Sequence, residues 1–148
     1  MSSLIDRAQS IAAAAHEGQT DKAGAPYIDH PRRVAIRVCN YTPKGRTEVA
    51  QAVAWLHDVV EDSNITLQDL AQEFPPEIVA AVEAITHRPH EALEDYYQRV
   101  AANDLARAVK LADIEDNSDP ARLQLLDNDT RQRLQDKYTK ARAALAAS

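Results

Sequence analysis

The run Val53-Ala54-Trp55-Leu56-His57-Asp58-Val59-Val60 sets the tightest limit on what this chain can fold into. Apolar residues on both sides draw the segment into a core, so an imidazole and a carboxylate go in with them, and Glu61 and Asp62 follow at once. An ionised carboxylate left alone in an apolar setting costs several kcal/mol even after relaxation, which is most of the margin by which a small domain is stable. On one helix from about Thr47 to Val60, His57 and Glu61 stand four apart, as do Asp58 and Asp62, so all four share the last turn or its exit. Three carboxylates there oppose the partial negative charge of a helix C-terminus. Positive charge has to be brought to that point, either as an Arg or Lys side chain or as a divalent metal.

The rest of the chain reads as helix after helix. Leu4, Ile5, Ala8, Ile11, Ala12 and Ala15 recur at helical spacing behind the start signals Ser2 and Ser3, and Gly18 lies where such a helix ends. Gly24, Pro26 and Pro31 make the segment Asp21 to Pro31 a loop, with His30 at its junction to a helix that Pro31 opens. That helix carries Val34, Ala35 and Val38 and stops at the turn Thr42 to Gly45; the helix from Thr47 to Val60 comes next. Thr66 with Asp69 predicts a capped short helix, and Pro75 and Pro76 separate it from a helix through Ile78 and Ile85. Helices over Ala92 to Ala101, Leu105 to Asp116 and Thr130 to Ala146 complete the series. Alternating β-branched runs between hairpin turns are missing and there are only three glycines, so the fold class is all-α. At 148 residues, with no repeat and no low-complexity linker, the whole of residues 1–148 reads as a single domain.

Composition narrows the partners. The net charge of -6 gives no basic surface for nucleic acid or an anionic membrane, so an anionic small molecule needs a local cationic site. No apolar run approaches a membrane span, Cys39 is alone, and the N-terminus lacks a signal-peptide pattern, which together read as a cytoplasmic protein.

Further metal-type ligands are few. Asp113 prolongs the apolar stripe Leu105, Ala108, Val109 and Ala112 into the interior, and Asn117 shares its face. With His30, this makes two imidazoles and two carboxylates from three separated segments, a set suited to a transition metal with positions left for water.

In this order, His30, His57-Asp58 and Asp113 resemble the H…HD…D signature of the HD-domain metal-dependent phosphohydrolases, an all-α superfamily. Residues 15–35, 54–66 and 109–117 further resemble the three motif blocks of the alarmone hydrolases, the hydrolase half of Rel/SpoT enzymes and the free-standing small alarmone hydrolases. The resemblance implies hydrolysis of the 3'-pyrophosphate of guanosine tetra- or pentaphosphate (ppGpp or pppGpp), usually with manganese, to GDP or GTP and pyrophosphate. It implies that His30, His57, Asp58 and Asp113 hold the metal, that Glu61 and Asp62 are the catalytic acidic pair, and that Lys22, Tyr27 and Asn117 bind the nucleotide. Since no synthetase or regulatory segment follows, it also implies a stand-alone hydrolase.

Asp21 stands where the family commonly has Arg, and Glu115 and Asp116 add anions after Asp113. If they face the phosphates they repel them, which keeps open another phosphorylated nucleotide such as ppApp or a 2'- or 3'-phosphorylated one, or a non-catalytic nucleotide-binding helical module; Arg122 offers a compensating cation. His16 is expected to be a hydrogen-bonded structural histidine, His87 and His90 exposed, Arg99 paired with an acid, Trp55 in the core and Cys39 a small apolar filler. Arg88 would reach a phosphate if its loop borders the pocket.

Overall fold

Helix α1, Leu4–Ala15, starts at a reciprocal cap: Ser3 Oγ accepts from the Asp6 amide at 3.1 Å and Asp6 accepts from the Ser3 amide at 3.4 Å. The computed structural model describes residues 3–146, so Ser2 lies outside the described residues. Ala8 and Ala12 are fully buried, and their small side chains let α1 lie against α3, Thr47–Leu56. Gly18, at φ +79°, turns the chain away after α1 in a conformation that costs glycine little.

Helix α2, Asp29–Arg37, begins two residues before Pro31 rather than at it. The first turn of a helix has no intrahelical use for its N–H groups, so proline costs nothing there. Burial of His30 and Pro31 outweighs the extended preference of the residue before a proline. A 3₁₀ turn at Val38–Asn40 ends this segment. Cys39 is exposed there, not a core filler; its sulfur lies 4.0 Å from the Ala35 carbonyl and accepts from Gln51 Nε2 at 3.5 Å.

The helix expected to run through Val60 is broken. α3 stops at Leu56, and α4 is the single turn Val59–Asp62. His57 Nδ1 donates to the Ala54 carbonyl at 2.6 Å, the group that the Asp58 amide takes in an uninterrupted helix. Asp58 accordingly sits at φ -105°, ψ -1°, in the bridge region of turns and functional sites.

Helix α5, Leu67–Ala71, carries the Thr66/Asp69 capping box, and α6, Pro76–Ile85, has proline at its first position as read from the sequence. α7, Leu93–Ala101, precedes α8, Asp104–Asn117, whose N-cap Asn103 accepts from the Ala106 amide at 2.9 Å. The short α9, Pro120–Leu123, went unforeseen in the sequence; Asp119 caps it. α10, Asn128–Ala146, buries Leu134, Ala141 and Leu145 on one face.

Among the described residues there is no strand, only an isolated bridge between Thr20 and Pro26. α3 is the axis of the core: Ala50, Ala52, Val53, Ala54, Trp55 and Leu56 are buried, so it is covered on every side. α1, α2, α6 and α8 pack on it, and α10 lies across α7 and α8. Truncating Leu56, fully buried here, to alanine should cost about 2–5 kcal/mol through lost burial and the cavity left behind. No helix of the described residues is long and apolar enough to cross a membrane. The start of α2, the α3–α4 break and the C-terminal half of α8 meet at one point, and the candidate site lies there.

Candidate metal centre

His30 comes from the first turn of α2, His57 and Asp58 from the break after α3, and Asp113 from the buried stripe of α8. Each offers one ligand-type atom, and the four lie within 4.8 Å of one another. His30 Nε2 is 2.8 Å from Asp113 Oδ1 and 3.8 Å from Asp58 Oδ2; His57 Nε2 is 3.0 Å from Asp58 Oδ2 and 3.4 Å from Asp113 Oδ1.

The far sides of the two rings fix the chemistry of the near sides. A carbonyl only accepts, so the 2.6 Å contact with Ala54 requires the proton on His57 Nδ1 and leaves Nε2 as a lone pair in the neutral ring. That Nε2 is buried and makes no hydrogen bond despite its closeness to two carboxylates. On His30, Nδ1 meets the Asp116 carboxylate at 2.7 Å, which likewise turns Nε2 inward. Two nitrogen lone pairs aimed at two carboxylate oxygens repel unless something positive stands among them.

Without a metal, protons fill that place. Burial depresses the imidazoles, but Asp113 and Asp116 outweigh it at His30 and raise its pKa, while Asp58 and Asp113 raise that of His57 well above the usual range. Conversely, burial pushes Asp58 up, but the adjacent His57 outweighs it and brings Asp58 down to about 2; Asp113 falls well below the usual range because Lys110 outweighs its burial. Two imidazole nitrogens and two carboxylate oxygens suit a divalent cation at the same point, so the residues present fit a metal.

The surroundings hold these ligands in place. Tyr27 donates its hydroxyl to Asp58 Oδ2 at 2.5 Å, Lys110 reaches Asp113 Oδ2 at 3.0 Å, and Asn117 Nδ2 donates to Asp113 Oδ1 at 3.1 Å. Behind His30, Asp116 is fully buried and bonded to Arg33 Nε at 2.7 Å, with Arg37 Nε at 3.3 Å. Asp116 is therefore no phosphate-facing anion: it lies on the far side of the histidine. Glu115 faces Arg37 at 3.8 Å and lines neither of the cavities that border the cluster. Sequence reading missed the roles of Asp116 and Lys110, although both stand three residues from Asp113 and so share its helix face.

Glu61 accepts from the His87 amide at 2.6 Å and lines a cavity of about 150 Å³ with His57 and Asp58; burial, with the Asp58 charge, raises its pKa. Asp62 lies along an adjoining groove with Glu61, His87 and Arg88, and its pKa is raised by burial and by Asp58. Gln19 ties this turn to the end of α1, donating to the Asp62 carbonyl at 2.8 Å and bonded to buried His16 at 2.9 Å, which makes His16 structural as expected.

Lys22, Tyr27 and Asn117 come together in a second cavity of about 240 Å³, which His30 also lines. Its other wall is apolar, with Leu123, Leu126 and Leu134 beside Tyr138. Asp21 lines it too, but two amides, Ala23 and Ala25, donate to Oδ1 at 2.9 Å and Arg122 approaches Oδ2 at 3.4 Å. The expected anion at this position is met by its own loop and by the cation that Arg122 was expected to supply. Arg99 pairs with Glu91 and donates to the Thr86 carbonyl at 2.8 Å, fixing the loop before α7. His87 is partly buried rather than exposed, with Nε2 at 2.9 Å from the Glu91 carbonyl.

A helical fold with a two-histidine, two-aspartate cluster, the second His and Asp adjacent at a helix break, defines an HD-type domain. The sequence model of the HD domain family matches residues 8–147, and the chain belongs to that family. Its relatives include the bifunctional (p)ppGpp synthase/hydrolase SpoT of Escherichia coli, 35% identical over 99 residues that make up 67% of this chain and 14% of SpoT. The GTP pyrophosphokinase rsh of Brucella melitensis is 37% identical over 83 residues, 56% of this chain and 11% of that protein. The chain thus matches about a seventh or less of the length of these relatives. A solved structure described as a metazoan ortholog of SpoT that hydrolyzes ppGpp shares the fold, with a TM-score of 0.80 at 24% identity over 98% of this chain and 86% of that one.

Proposed function

We propose that this protein is a cytoplasmic, manganese-dependent hydrolase of the 3'-pyrophosphate of ppGpp or pppGpp, releasing pyrophosphate and GDP or GTP. The observation that carries the reading is that the His30, His57, Asp58, Asp113 cluster borders two cavities, one lined by Lys22, Tyr27 and Asn117 and the other by Glu61. The likeness to SpoT, a bifunctional (p)ppGpp synthase/hydrolase, supports the choice of substrate.

His30, His57, Asp58 and Asp113 hold the metal, which when bound lowers the pKa of water and offsets phosphate charge. Water adds to the phosphorus attached to the 3' oxygen, that P–O bond breaks to release pyrophosphate, and the proton that water gives up ends on the 3' oxygen. Glu61, its pKa already raised and its second oxygen free of the His87 amide, takes the proton from the attacking water, while Asp62 orients that water. Lys22 and Asn117 bind the nucleotide, and Tyr27 stands on its path with its hydroxyl held on Asp58.

The test is anion-exchange analysis of products after incubation with ppGpp and manganese, beside a chelator-treated control. GDP and pyrophosphate are expected, absent after chelation. Glu61→Gln should keep the metal and lose about 100-fold or more in turnover. Bound manganese with no turnover of ppGpp by the unaltered protein would overturn the assignment and favour another phosphorylated nucleotide.

A further inference from the structure

The smaller cavity carries a cation whose charge the protein leaves unmatched. Its walls include the metal-cluster residues His57 and Asp58, Glu61, Tyr97, Lys110 and Lys137. Lys110 is committed: its ammonium sits 3.0 Å from Asp113 Oδ2. Lys137, from α10, is different. Among the described residues no carboxylate lies within 4.0 Å of its ammonium, and the strongest charged influences on it are two other lysines, Lys110 and Lys22.

Like charges gathered at the wall of a cleft raise the local concentration of anions there. Their arrangement also says where the anion sits. Lys22 lines the larger cavity and Lys110 the smaller, and α10 borders both, with Tyr138 in the first and its neighbour Lys137 in the second. His57 and Asp58 line the smaller cavity together with Lys137, so an oxyanion held there has the metal cluster and the Lys137 ammonium in its walls. Resting on the proposed hydrolase function, we infer that this cavity is the pyrophosphate subsite and that Lys137 is the residue that binds the departing pyrophosphate. The nucleoside half occupies the larger cavity, where the leucine and tyrosine wall suits a base. One helix therefore sorts the two products, by an apolar and aromatic face at Tyr138 and a cation at Lys137.

The test is calorimetric titration of inorganic pyrophosphate into metal-loaded protein freed of excess metal, with bound metal measured before and after. Lys137 is exposed on α10, so its substitutions leave the core intact. Lys137→Ala should weaken pyrophosphate binding about 10-fold, the loss expected of one charge-assisted contact, and Lys137→Glu more; Lys137→Arg should stay within about 3-fold of the unaltered protein. GDP affinity should be unchanged in all three. Equal pyrophosphate affinity in Lys137→Ala and the unaltered protein, or a parallel loss of GDP affinity, would overturn the subsite. Turnover of ppGpp is scored separately: turnover with unchanged pyrophosphate binding removes Lys137 and keeps the hydrolase. No turnover with binding lost in Lys137→Ala keeps the subsite and moves the substrate to another pyrophosphate-bearing compound.

Discussion

The two sides of the His30 ring make an instructive pair. Each nitrogen faces an aspartate of α8, Asp113 at 2.8 Å and Asp116 at 2.7 Å, and the two acids are three residues apart on one helix face. Behind the ring, Arg33 and Arg37 neutralise Asp116. In front, Asp58 feels Asp113 beside it and itself acts on Glu61 and Asp62, and of these four acids Lys110 contacts Asp113 alone. One side is complete in charge; the other is short of it. The shortage marks the site, because a fold that only needed to hide carboxylates would have treated both sides alike.

The sharpest way to break the comparison is to delete one acid from each side. Asp58→Ala, in front, should abolish metal binding and turnover together, with affinity down at least about 100-fold by metal titration. Retained metal in that variant would remove the cluster from the mechanism. Asp116→Ala, behind, should act first on the fold: it strands the Arg33 guanidinium and a buried imidazole nitrogen, while Arg37 keeps Asp119, costing about 3 kcal/mol, on the order of 10 °C in Tm. Metal affinity should also fall, by about 10-fold or more, because His30 loses the partner that orients it. If Asp58→Ala destabilised the metal-free protein more than Asp116→Ala, the assignment of the two sides would be reversed.

A pH series sharpens the same contrast with a smaller effect. His30 and His57 have raised pKa values in the metal-free fold, so these imidazoles keep their protons to higher pH than ordinary histidines and a metal must displace them. Metal affinity should rise with pH, by about tenfold per pH unit for each proton displaced, with proton release visible in buffers of different ionisation enthalpy. Stability of the metal-free protein runs the opposite way: the contribution of these imidazoles is complete below the ordinary histidine pKa, about 6.5, and is lost as pH climbs through their raised values. Thermal unfolding with and without metal should therefore diverge as pH increases.

The smallest effect is expected far from the cluster, at an ion pair that is already balanced. The Arg99 hydrogen bond holds Glu91 down at about 2, so its stabilisation is present above the ordinary glutamate pKa and fades as pH falls from about 4.3 toward that value. Glu91→Gln should flatten that acid limb of the unfolding curve and leave metal affinity untouched. A change in metal affinity would mean that the loop fixed by Arg99 reaches the centre through the His87 amide, which donates to Glu61.

The helices and the four residues of the cluster were legible because both are local signals. Helical spacing puts Asp113 on the Val109 and Ala112 stripe, and the apolar run around His57-Asp58 has no other reading than burial. The caps at Ser3 and Thr66 were legible for the same reason: a side chain and an amide three residues apart settle them. The role of Asp116 was missed because its neighbours in sequence, Glu115 and Asn117, say nothing of Arg33, which is 83 positions away. The break at His57 was missed because helix periodicity does not register a side chain that competes for its own backbone carbonyl. Likewise the burial of Cys39 was wrongly expected, since its apolar neighbours turn inward while the 3₁₀ turn carries it out.

By itself, then, the sequence determined an all-α chain and the identity of the two imidazoles and two carboxylates at its centre, because spacing of three and four residues is written in any short stretch. Tertiary structure alone decided which acid of α8 is neutralised and which is left wanting a cation, and that α10 borders both cavities with adjacent residues. Those outcomes depend on how segments far apart in the chain pack, and a charge carries no label of its partner until packing brings the partner within reach.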